Sequence, residues 1–160
     1  MRQPAHFLTR AAMLSIALAL GVALSSAPAN AVDQPAWVNT PSLTAIRVKI
    51  KAQDWQGAIK DLNAMVNNGT RSADVYNLLA FSLRKSGDLT NASTYYRRAL
   101  ELDPNHRGAL EYQGELYMQT GDIAKARENL ARLVRLCPSG CEERQDLEEA
   151  IARAQPARAR

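Results

Sequence analysis

The chain is 160 residues long, 46% hydrophobic and 22% charged, with only 8 Gly and 7 Pro, which excludes a collagen-like or low-complexity disordered tract. A formal net charge of +4, 6% aromatic residues and no apolar run long enough to cross a bilayer exclude a strongly basic nucleic-acid binder and a polytopic membrane protein. Histidine occurs only at His6 and His106, so chemistry built on a histidine cluster is excluded too.

At the amino terminus Arg2 and Arg10 precede an apolar stretch from Ala11 to Leu24, and the small-residue exit Ala29-Asn30-Ala31 follows. That stretch is shorter than the roughly 20 residues of a spanning helix, so residues 1–31 read as a secretory signal peptide with cleavage expected after Ala31. An uncleaved anchor is the alternative. Of the 20 basic residues two lie in this leader and none of the 16 acids does, which leaves a net charge of +2 after cleavage. The expected location is periplasmic or secreted, with no membrane span once the leader is removed. Residues 32–38 form a short N-terminal extension whose Trp37 is expected to pack on the first folded unit.

A fixed period follows. Gly87-Asp88 and Gly121-Asp122 stand 34 residues apart, and the same step carries Ala80 onto Gly114, Leu83 onto Tyr117, Ala92 onto Ala126, Tyr96 onto Leu130 and Pro104 onto Pro138. One step back puts Asp54 under Asp88, Ala58 under Ala92 and Leu62 under Tyr96, while the residues before Asp54 match poorly. The units are 39–72, which is degenerate, 73–106 and 107–140.

Local signals divide each unit into two helices. In 39–72, Thr40-Pro41 reads as a cap with proline in the opening turn, and Asn68-Gly69 ends the second helix. In 73–106, Val75, Tyr76, Leu79, Ala80 and Leu83 give one apolar stripe from Ala73 to Ser86. Gly87 stops that helix, Asp88 caps one that runs to about Leu102, and Pro104 turns the chain. Gly121-Asp122 and Pro138 repeat this punctuation in 107–140. Small Ala80, Ala92, Gly114 and Ala126 are expected where helices approach closely. Residues 141–154 form one more amphipathic helix, with Leu147 and Ile151 on its apolar face, that caps the stack. Residues 155–160, with Pro156 and two arginines, are expected to be a disordered basic tail.

This 34-residue unit resembles the tetratricopeptide repeat family. Tyr76, Leu79, Ala80, Leu83, Gly87, Ala92, Tyr96, Ala99 and Pro104 fall on the family's pattern in 73–106. The third unit keeps Gly114, Tyr117, Gly121, Ala126 and Pro138, but has Gln113 where leucine is usual and Leu133 where alanine is usual. The resemblance implies an all-α solenoid of about three helix-turn-helix repeats plus the capping helix, with a concave groove lined by the first helix of each unit. Its inward positions would be Arg47 and Lys51, then Asn77, Phe81, Arg84 and Lys85, then Glu111, Glu115 and Met118. The groove would run from basic at its amino-terminal unit to acidic at its carboxyl-terminal one, and Glu111 and Glu115 would repel a peptide carboxylate. The implied function is that of a non-enzymatic scaffold binding a peptide segment or partner helix, in cell-envelope assembly. No nucleic acid, cofactor or metal is expected, and nothing in the sequence sets the oligomeric state.

The search for chemistry returns little else. His106 beside Pro104 reads as a solvated loop histidine, and Glu111 and Glu115, one helical turn apart, read as a polar face. The segment Cys137-Pro138-Ser139-Gly140-Cys141 stands out, since two cysteines in an exported protein are expected to pair as a structural disulfide. The alternative is a thiol-redox or copper-handling periplasmic factor acting through Cys137 and Cys141, because reduced thiolates bind soft metals.

Overall fold

The computed structural model describes residues 41–154, and among the described residues it contains seven helices and no strand. The leader, the extension with Trp37 and the basic tail lie outside the described residues. In chain order the helices are α1 (Leu43–Lys51), α2 (Trp55–Asn67), α3 (Ala73–Lys85), α4 (Leu89–Leu102), α5 (Arg107–Gln119), α6 (Ile123–Leu136) and α7 (Glu142–Ala154). Each packs against the next, and α5 also packs directly on α3 and α7. This is an all-α solenoid of stacked helix pairs, with α1, α3, α5 and α7 as the first members and α2, α4 and α6 as the second.

The repeated Asp places the second helices. Asp54, Asp88 and Asp122 each cap one, their side chains accepting from the backbone N–H of Gly57 at 2.9 Å, Asn91 at 3.1 Å and Lys125 at 3.3 Å. The residue before each Asp takes a left-handed conformation, with φ of 59° at Gln53, 95° at Gly87 and 83° at Gly121. Glycine adopts this conformation freely, whereas the Cβ of Gln53 crowds its own backbone. Gln53→Gly is therefore expected to stabilise the protein by about 1 kcal/mol, read as a raised urea midpoint with an unchanged slope. A lowered midpoint would contradict the strain assigned to Gln53.

One boundary differs from expectation. Helix α1 starts at Leu43, capped by Ser42, whose hydroxyl accepts from the Ala45 N–H at 3.2 Å. Pro41 therefore precedes the cap and does not occupy the first turn, because Ser42 is itself a preferred capping residue and reaches the free N–H first. Thr40 lies outside the described residues.

The core continues from pair to pair. Ile46, Leu62, Val75, Leu79, Tyr96 and Leu116 are buried in one cluster, and Leu110, Leu133, Leu147 and Ile151 in another. Ala80, Ala92 and Ala126 are fully buried, as their size predicts. At Gly114 an added Cβ would stand 2.6 Å from Leu147 Cδ2, so the missing side chain is what lets α7 seat on α5. Both departures from the family pattern have partners here. Gln113 accepts from Asn129 Nδ2 at 3.0 Å, while the same nitrogen donates to the Leu110 carbonyl, and Leu133 fills the space beneath α7.

Candidate partner-binding groove

Two clefts indent the row of first helices. One, of about 300 Å³, is bounded by Arg47 of α1, Asp74 and Asn77 of α3, Glu111 and Tyr112 of α5, and Glu142, Glu143 and Asp146 of α7. The other, of about 320 Å³, is bounded by Arg84 and Lys85 of α3, Glu115 and Met118 of α5, and Arg153 of α7. The first cleft gathers residues from the N-terminal halves of α3, α5 and α7, and the second gathers residues from their C-terminal halves. In α3 and α7 charge follows the helix dipole, with Asp74, Glu142 and Glu143 in the first turns and Arg84, Lys85 and Arg153 in the last, whereas α5 has no acid in its first turn and no cation in its last. A second separation of charge thus crosses the basic-to-acidic order expected along the stack. Separation also runs along the helix axes, because α3 and α7 each carry acids in the first turn and cations in the last.

The nine nominated groove residues divide between these places. Arg47, Asn77 and Glu111 meet in the acidic cleft, and Arg84, Lys85, Glu115 and Met118 meet in the basic one. Lys51 is exposed and lines neither cleft. Phe81 lies between, half-buried, with Trp55 edge-on at 6.0 Å and Tyr112 tilted at 4.7 Å. The Arg84 guanidinium is 5.5 Å from the Phe81 ring centre and Lys85 Nζ is 5.8 Å from that of Trp55. Arg84 is buried, paired with Glu115, and donates from Nε to the Tyr96 hydroxyl at 3.4 Å. It is a fixed internal cation and not a free groove side chain.

Burial pushes the Glu111 carboxyl up to about 8, with Glu115, Asp146 and Glu143 adding to the shift and Arg84 opposing it. Burial also raises the Tyr112 hydroxyl to about 12. Asn77 is 5% exposed, and its Oδ1 is buried with no hydrogen-bond partner. His106 is no solvated loop residue. Its side chain is 15% exposed and caps α5, with Nδ1 accepting from the Ala109 N–H at 3.1 Å and Nε2 at 3.1 Å from Asp74 Oδ1. That pair of contacts requires the neutral ring with its proton on Nε2. The turn after Pro104 puts the ring where Ser or Asp usually caps, which is why sequence context alone misplaced it.

Trp55, Tyr112, Asp146 and Arg153 belong to the groove although they were not nominated. A signal for three of them exists, because one more step of 34 carries Leu78 onto Tyr112 onto Asp146, and Lys85 onto Gln119 onto Arg153. Helix α7 stands in register as the first helix of a further unit, and it extends the groove as well as capping the stack.

Cys137 is the C-terminal cap of α6 and Cys141 immediately precedes α7, with Cα atoms 6.0 Å apart and sulfurs at bonding distance, 2.07 Å. Among the described residues no group of three or more His, Cys, Asp or Glu side chains stands close enough to hold a metal ion. None of the described helices is long and apolar enough to cross a membrane.

Comparison with known proteins adds the family. The tetratricopeptide repeat family matches residues 77–140. Cellulose synthase 2 operon protein C of Komagataeibacter xylinus is 32% identical over 99 residues, 62% of this chain and 8% of that protein. The uncharacterized protein ycf37 of Pyropia yezoensis is 34% identical over 67 residues, 42% of this chain and 37% of that one. The chain thus spans well under half the length of these curated relatives. Among solved structures, MamA from Desulfovibrio magneticus RS-1 superposes with a TM-score of 0.56 at 22% identity, covering 61% of this chain and 55% of that one. A second MamA crystal structure gives 0.57 at 20% identity, covering 70% and 73%. These structural likenesses bear on the fold alone. The repeated Gly-Asp punctuation, the stacked helix pairs and the family match together identify residues 77–140 as tetratricopeptide repeats.

Proposed function

We propose that this protein holds a peptide segment or partner helix of another protein in the groove formed by α1, α3, α5 and α7, and that it does so in cell-envelope assembly outside the cytoplasm. Tetratricopeptide repeats are interaction scaffolds and not a class of enzymes, and the present fold is of that kind. The observation that carries the reading is the pair of clefts, acidic at the N-terminal halves of the first helices and basic at their C-terminal halves, with Phe81 between them and Tyr112 on the wall of the acidic one. Opposed charges orient a segment and accelerate its capture, while the aromatic rings supply contact area. The leader supports export. The position of Cys137 and Cys141, joining the end of α6 to the start of α7, supports a structural disulfide over a redox or copper site.

Affinity capture from an envelope extract tests the groove. Lys85→Glu with Arg153→Glu is expected to remove the partner, whereas Arg127→Glu on exposed α6 is expected to leave it. Arg84 stays untouched in this design, because its loss would report on folding. A partner list unchanged by the groove variant would move the binding surface to the second helices.

A further inference from the structure

Resting on the groove reading above, we infer that the acidic cleft between α3, α5 and α7 is a cation subsite that receives a lysine or arginine side chain of the bound segment, whose adjoining peptide N–H donates to Asn77.

Five carboxylates bound this cleft against one guanidinium. Some are answered from within. Arg47 lies 3.9 Å from Asp74, and Arg107 lies 3.6 Å from Glu143. Among the described residues Glu111 and Asp146 take part in no ion pair, although Glu111 is 5% exposed. Buried carboxylates in proteins are ordinarily paired. In the empty cleft burial answers this by holding Glu111 protonated, which leaves the exposed Glu142 and Asp146 as the unanswered charges and lets a cation from outside draw Glu111 into its ionised form.

Asn77 is the independent observation. A carboxamide buried to this degree normally spends its acceptor on a partner, and here Oδ1 has none. Rotation of the carboxamide about its last bond exchanges oxygen and nitrogen without moving the backbone, so the acceptor can be turned to an incoming N–H. The neighbourhood suits a long basic side chain in a third respect. Tyr112 offers a ring for the apolar stem of lysine or for stacking by a guanidinium, and about 300 Å³ admits a side chain and its peptide unit but no folded element. The carboxylates are too dispersed to chelate a metal ion.

The test uses the full chain and a short unstructured peptide of alternating Ser and Lys, labelled for fluorescence anisotropy, beside Ser-Glu and Ser-Gln counterparts. The Ser-Lys peptide is expected to bind and its counterparts are not. Asp146→Asn, on an exposed residue without an ion-pair partner, is expected to weaken binding about tenfold or more with no change in melting temperature. Asn77→Ala is expected to weaken it as well. Glu101→Gln removes the same charge from α4 and is expected to leave binding unchanged. Equal weakening by Glu101→Gln, equal affinity for the Ser-Gln peptide, or no binding of the Ser-Lys peptide would overturn the subsite. So would stoichiometric calcium binding lost in Asp146→Asn, or self-association lost in the same variant, each of which would give the cleft another occupant. Failure of the Ser-Lys peptide while capture still depends on Lys85 and Arg153 removes the cation subsite alone. Failure of both removes the groove reading with it.

Discussion

Replacing Leu147 with alanine is expected to destabilise the protein by about 2–5 kcal/mol, the range for deleting a fully buried leucine side chain. Leu147 is fully buried in a cluster with Leu110, Ala126, Leu133 and Ile151, and its methyl groups occupy the space left open at Gly114. Truncation removes contact on both sides, because the α5 backbone at Gly114 carries no side chain that can relax into the cavity. The effect should reach function too, since α7 carries Glu142, Glu143 and Asp146 to the acidic cleft. Urea denaturation of the variant beside the parent measures the stability change. A loss below about 0.5 kcal/mol, the scale of a surface substitution, would mean that α7 is not seated on α5 as described.

The second large effect is a pH dependence. Glu111 holds its proton up to about 8 in the folded protein, against an ordinary value of 4.5. Below the ordinary value both folded and unfolded chains are protonated there, and no penalty exists. As pH rises from about 4.5 to about 8 the unfolded chain ionises and is favoured, so this site's contribution to stability is progressively lost. Above about 8 the loss is complete and constant. Glu111→Gln keeps the shape and removes the titration. Its gain over the parent should be near zero at pH 4 and on the order of a few kcal/mol at pH 8. Urea midpoints across that interval read the difference. Parallel curves for the two proteins would show that Glu111 is ionised and well solvated when folded.

Much of the fold is legible in the residues because it depends on short-range rules. Asp88 and Asp122 follow glycines, and only a turn that ends one helix and caps the next uses that pair every 34 residues. Ala92 and Ala126 declare close packing by size. Gln53 breaks the glycine rule, which is why the first unit looks degenerate, yet Asp54 still caps α2. The groove is less legible because its character depends on which distant side chains meet. Arg84 reads as a free groove cation until Tyr96 and Glu115 are seen around it. Phe81 reads only as one more inward groove position until Trp55 and Tyr112 are seen to close on it. His106 reads as a loop residue because nothing local reveals Asp74. The acidity of one cleft comes largely from α7, which is one further first helix of the stack as well as a lid.

The charge arrangement along α3, α5 and α7 also acts at a distance. Charge is nearly balanced over the described residues, so the far field of this part of the chain is close to that of a dipole, and not of a net charge. An approaching segment with separated charges of its own is rotated before any atoms touch, and its encounters become productive more often. The Debye length of about 8 Å at physiological salt confines this steering to the last few water layers. Added salt should therefore slow association while leaving dissociation nearly unchanged, giving this groove a kinetic selectivity separate from how tightly it holds.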